Sequence, residues 1–183
     1  MQTVILHDLR LDGKVAGHGQ VIEVDGTTPL AHAFRRVLQA ANSSPCQLAI
    51  ACHGFMSHYH NRGSHETLQG GTGLQLCREL LRIRNVGQVS DLRGRFERIW
   101  LMACGPAGTI VHDSRPFCRE FAAFADTPVV AADRPQLYHP GTHDNSQRVS
   151  RRTLRFGDWE GSVYEFRPDG TVHPTTGAGS PLP

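Results

Sequence analysis

Three short, uninterrupted apolar runs punctuate the chain: CQLAIAC at 46–52, RIWLMAC at 98–104 and TPVVAAD at 127–133. Runs of this length without alternation fit strands covered on both faces, as in a parallel sheet. The segments between them change period. Leu30, Phe34, Val37, Leu38 and Ala41 recur at helical spacing, with Thr28 as a cap, Pro29 suited to the first turn, and NSSP as a stop. Leu74, Cys77, Leu80 and Leu81 mark a second helix, and Ser90-Asp91 caps a short third one. After the cap Ser114, Phe117, Phe121 and Phe124 form an apolar stripe expected to pack into the core. Strands alternating with helices predict an α/β fold, a mainly parallel central sheet with helices on both faces.

The remaining segments are less regular. TVILHDL and VIEV, set around Gly13, Gly17 and Gly19, read as two strands of a hairpin or meander. Residues 55–73 are polar and glycine-rich without a sustained period, which predicts a long surface loop. Loops of that length in a compact domain often serve function. Residues 134–161 read as loop, and SVYEFRPDGTVHP reads as a hairpin turning at Pro168-Asp169-Gly170. The 183 residues suit one domain, expected over 1–175, with a flexible tail at 176–183.

Composition narrows the class. With 39% hydrophobic and 20% charged residues, and no apolar run approaching a span of about 18, no membrane partner is expected. The opening MQTVILHDLR lacks a cationic start and a long apolar stretch, so no secretory signal is read and a cytoplasmic location is expected. Cysteines 46, 52, 77, 104 and 118 are odd in number and form no CxxC pair, which suits a reducing compartment. Net charge is +2, and every cation except Lys14 is an arginine. The arginines between 78 and 98 are interspersed with Glu79, Asp91 and Glu97, the pattern of solvated helix faces, so nucleic acid is not expected as a partner.

Candidate chemistry lies at two strand ends. In an open parallel sheet all carboxyl ends share one edge, where ligand sites collect. His53-Gly54 follows the first apolar run, and Cys104-Gly105 closes the second, about fifty residues later. That separation accommodates the crossover that two adjacent parallel strands require. An imidazole beside a thiol is useful because the thiolate is the nucleophile and an unassisted cysteine is mostly protonated near neutral pH. Gly54 lets its amide approach a substrate carbonyl, and the Cys104 amide supplies a second donor, together an oxyanion hole. Cys52 adjoins His53, but strand alternation turns it to the opposite face. Cys46, Cys77 and Cys118 are read as core thiols.

The pieces LAIACHG and IWLMACG, with GGTGLQL before the intervening helix and TPVVAAD after the cysteine, resemble the caspase-like cysteine peptidases of clan CD. The likeness is nearest to the CHAT and other bacterial caspase-like domains and spans roughly residues 46–133. It implies a three-layer caspase-like α/β sandwich and a cysteine endopeptidase that acts through an acyl-enzyme. In the family pattern His53 takes the place of the catalytic histidine, Cys104 that of the nucleophile, and Gly54 that of the oxyanion glycine. Met102 stands where metacaspases and separases carry an acidic pocket residue, and Gly105-Pro106 departs from the caspase sequence after the nucleophile. Substrate choice and activation by self-cleavage are therefore left open.

Asp133 ends the third apolar run on the same edge, where it either selects a basic substrate side chain or serves as a loop or cap carboxylate. His58, His60 and His65 lack the spacing of a helix-borne zinc site, so no metal is expected, and the dyad chemistry calls for no cofactor. The expected partner is a protein or peptide substrate, with room for a regulatory protein. Two other functions fit the same residues: a caspase-like binding or signalling module without turnover, and a transpeptidase that passes the acyl group to an amine.

Overall fold

A computed structural model of the chain describes residues 1–9, 11, 13–15, 19–25, 27–41, 45–52, 90–109, 115–134, 136, 138–140, 153–156, 158–176, 179 and 181. The strands are β1 (Gln2–Asp8), β2 (Lys14–Val15), β3 (Gln20–Val24), β4 (Cys46–Ala51), β5 (Arg98–Met102), β6 (Val129–Ala132), β7 (Tyr138–Pro140), β8 (Thr153–Phe156), β9 (Val163–Phe166) and β10 (Val172–Pro174). The helices are α1 (Leu30–Ala40) and α2 (Arg115–Ala125), and Ser90–Leu92 forms a 3-10 turn where a capped helix is expected from the sequence. Seven strands make the main sheet in the order β10-β9-β6-β5-β4-β1-β3, and β2, β8 and β7 make a second, three-stranded sheet. From β3 to β6 every neighbouring pair is parallel; β9 then joins β6 antiparallel, and β10 joins β9 the same way.

The apolar runs of the sequence are the centre of this sheet. Strands β4 and β6 are almost wholly buried, which explains why they lack polar alternation. Side chains still divide by parity into two cores. Val4, Leu6, Leu48, Ile50, Ile99, Leu101, Val129 and Ala131 face α1 and α2, meeting Phe34 and Val37 from one helix and Cys118 and Phe121 from the other. Ile5, Ala49, Ala51, Trp100, Met102 and Val130 face the opposite way, against Val15, Phe156 and Trp159.

The direction of each crossover accounts for this division. The links β3–α1–β4 and β5–α2–β6 step across the sheet in one direction, whereas the link from β1 to β3 steps back. Crossovers of a single hand therefore put both described helices on one face and the β1–β3 link, with β2, on the other. Among the described residues the second face is covered by the small sheet and its aromatic neighbours rather than by a helix. The helix expected around Leu74 and the loop expected over residues 55–73 lie outside the described residues.

Several expectations change. β1 and β3 are neighbours but parallel, pairing Val4 with Gln20 and Asp8 with Val24, so they are not a hairpin. The stretch between them is long enough for a crossover, and pairing both strands with a buried partner face outweighs the turn propensity of its glycines. Thr28 does not cap α1: its hydroxyl donates to Asp25 Oδ1 at 3.0 Å, inside a turn that Asp25 organises. Phe124 is 37% exposed, because the buried arc of α2 passes through Cys118, Phe121, Ala122 and Ala125 and leaves Phe124 at its margin. The stretch read as loop after residue 134 contains β7 and β8.

The hairpin at the end of the chain is as read. Arg167 N–H donates to Thr171 O at 2.9 Å, and Gly170 adopts φ +85°, a conformation that glycine supplies without strain. Thr175 N–H reaches Val163 O at 2.8 Å, carrying the pairing one residue past β10. No helix among the described residues is long and apolar enough to cross a membrane.

Candidate active site

The parallel strands β1, β4, β5 and β6 end on one edge, and three groups singled out from the sequence follow those ends. Cys104 comes two residues after β5, His53 two residues after β4, and Asp133 directly after β6. β4 and β5 are adjacent, and their register pairs Ala51 with Met102. His53 and Gly54 lie outside the described residues, as do Cys77, His58, His60 and His65.

Cys104 occupies a turn fixed by its neighbours. Gly105 adopts φ +61°, a left-handed conformation that would cost an ordinary residue about 1 kcal/mol. Its N–H donates to Arg134 O at 3.0 Å, and Ala107 N–H donates to Ala132 O at 3.1 Å, so the chain leaving β5 is laced to the end of β6. Helix α2 holds the far side of the turn: Cys118 Sγ–H donates to Pro106 O at 3.1 Å, and Arg115 Nε–H to Ala107 O at 3.4 Å.

Among the described cysteines, Cys46, Cys52 and Cys118 are buried and Cys104 is partly exposed. Cys52 belongs to the core on the helix side, 3% exposed. Burial also pushes the Cys46 thiol above its ordinary pKa, against a smaller opposing effect of backbone contacts with Val4 and Gln47. Cys104 Sγ lies 3.7 Å from the Gln136 carbonyl oxygen, an S–H···O contact that exists only while the sulfur is protonated.

Asp133 is half-buried and already employed. Its Oδ1 accepts the Ser162 N–H at 3.0 Å, while its own N–H donates to Ser162 O at 3.1 Å. Gly161, at φ +77°, lets the two segments approach, since a Cβ there would collide with the Asp133 carboxylate and the Arg134 side chain. One carboxylate oxygen of Asp133 is therefore committed to clamping this loop.

Two residues near the site escaped sequence reasoning. Gln136 is 5% exposed, and its side chain ties two segments together: Nε2–H donates to Arg134 O at 2.8 Å and Glu160 O at 3.0 Å, and Oε1 accepts Glu160 N–H at 3.0 Å. Trp159 stacks on Trp100 at 6.1 Å and meets Phe156 edge-on at 4.8 Å. The available signal was the pair of aromatics, Phe156 and Trp159, in an otherwise polar stretch. Periodicity could not find Trp159, because its stacking partner Trp100 is far away in sequence, on β5.

At the same edge His7 and Asp8, the last residues of β1, are fully buried. His7 Nε2–H donates to Leu11 O at 2.9 Å, securing the chain as it leaves β1. Among the described residues no group of three or more potential metal ligands comes together. Compared with family models, curated proteins and solved structures, the chain matches none.

Proposed function

We propose that the chain is a caspase-like cysteine endopeptidase, a three-layer sandwich whose His53 and Cys104 act as a dyad on protein or peptide substrates in the cytoplasm. The observation that carries this reading is the register of β4 on β5. Ala51 is opposite Met102, and two residues further along each chain come the histidine and the cysteine. Adjacent strands lie about 4.8 Å apart, within reach of an imidazole and a thiol. The partial exposure of Cys104, beside three buried thiols, agrees with a nucleophile's need for access.

In this mechanism His53 takes the proton from Cys104 Sγ, and the S–H contact to Gln136 is lost. The thiolate attacks the scissile carbonyl carbon, and the oxyanion is bound by the Gly54 and Cys104 amides. The carbon–nitrogen bond then breaks as His53 returns its proton to the leaving amine. Water, deprotonated by the same imidazole, attacks the thioester and releases the acid and the free thiol. No cofactor or metal enters the cycle, so activity is expected to survive chelators. Loss of activity in EDTA with recovery on adding zinc would contradict it.

The test is a peptide-library cleavage profile of the wild type beside Cys104→Ala, with products read by mass spectrometry. Hydrolysed peptides that disappear in the variant support the peptidase. Ligated products would establish acyl transfer to an amine, and intact peptides would establish a binding or signalling module, which would act through a regulatory partner.

A further inference from the structure

A cleft of about 470 Å³ opens at the start of β9 and the end of β10, with Asp158, Trp159, Ser162, Val163 and Thr176 among its walls. It lies on the same sheet edge as Cys104, because β9 runs antiparallel to β6 and Val163 pairs with Ala132 at the carboxyl end of that strand. We propose that this cleft binds a lysine or arginine side chain of an extended peptide, at a position about three residues from the scissile bond. The proposal rests on the peptidase reading for its reaction, although the binding itself does not depend on it.

Charge points to a cation. Asp158 lines the cleft and no described lining residue is basic; beside the wall, Glu160 lies in the same segment and Asp133 clamps the Ser162 amide, outnumbering the exposed Arg134, whose side chain packs against Gly161. Trp159 supplies a flat aromatic wall, held in orientation by Trp100 and Phe156, against which an alkyl stem can pack and a cation can be stabilised.

Distance sets the position in the peptide. β5, which leads to Cys104, is separated from β9 by β6 alone. Two strand spacings come to roughly 10 Å, and an extended peptide covers that in about three residues. The cleft wall is also joined to the nucleophile: the Gln136 side chain holds the backbone of Glu160, while its carbonyl contacts Cys104 Sγ. The Glu160 backbone on one side and the thiol on the other are thus held by one buried residue.

The experiment uses the full chain carrying Cys104→Ala, which removes turnover, and acetylated hexapeptides with one arginine or its neutral isostere citrulline at each position. Binding is followed by tryptophan fluorescence and calorimetry. The expected result is at least tenfold tighter binding of the arginine peptide at one preferred position, reduced to near parity by Asp158→Asn. Circular dichroism of that variant should match the parent. Equal affinity for arginine and citrulline at every position, or an arginine preference unaffected by Asp158→Asn, would overturn the proposal. A preference that depends on Asp158 in a protein whose wild type cleaves nothing would support the cleft while removing the peptidase reading, so the two failures are distinct.

Discussion

Ala51 and Met102 are paired side by side in parallel register, one at the end of β4 and the other at the end of β5. A small side chain next to a flexible one, both in the core opposite the helices, forms the floor of the edge from which the two chains continue toward residues 53 and 104. The chemistry proposed for this chain depends on that pairing. A shift of one residue would exchange the faces of every side chain on one strand.

The two-sided core makes a direct prediction about stability. Phe34 is 1% exposed between α1 and the sheet, whereas Phe124 is 37% exposed on α2. Phe34→Ala should cost about 3–5 kcal/mol, the usual loss for a buried aromatic. Phe124→Ala should cost under about 1 kcal/mol. Urea unfolding of both variants measures the difference, and equal losses would contradict the described packing of α2.

Sequence periodicity was enough to locate α1 and α2 and the three central strands, because each is a local pattern whose burial is nearly uniform along its length. Strand direction was not legible. The alternation in VIEV is the same whether β3 runs parallel or antiparallel to β1, and only the crossover that places Val15 on the far face decides it. The small sheet was illegible for a related reason. Its strands are two to four residues long and come from distant parts of the chain, so no window contains both members of a pair. At the site, Cys104 could be read from a strand end before glycine, whereas Gln136 could not. Its importance comes from three backbone hydrogen bonds, one to nearby Arg134 and two to Glu160, which is distant in sequence.

The turn before α1 should respond to acid. Asp25 accepts hydrogen bonds from the Thr27 side chain at 2.7 Å and backbone at 2.9 Å, and from Thr28, which together lower its pKa from 3.8 to about 2. A depressed folded-state pKa means a stabilising contribution present above the unfolded value and lost as the pH falls toward the folded one. Asp25→Ala should therefore lower stability at pH 7 and converge with the wild type near pH 2. NMR titration of the Asp25 carboxyl group would contradict this if its midpoint lay near 4.

Asp133 separates a structural role from substrate selection. Asp133→Ala deletes the acceptor for the Ser162 amide and should cost about 1 kcal/mol, whereas Asp133→Asn retains an oxygen there and should cost less. If Asp133 also selects a basic residue next to the cut, Asp133→Asn should lose that preference while keeping its stability. An unchanged cleavage profile would leave Asp133 as the loop clamp alone.

The dyad is tested most directly by thiol reactivity. On folded protein, iodoacetamide with site-resolved mass spectrometry should label Cys104 faster than Cys46, Cys52 and Cys118, which are buried, and faster than Cys77. His53→Ala should slow labelling at Cys104 near neutral pH and leave Cys52 nearly unchanged, since Cys52 belongs to the core on the helix side. Preferential labelling of Cys52, or a Cys104 rate indifferent to the loss of His53, would contradict the dyad and the peptidase with it.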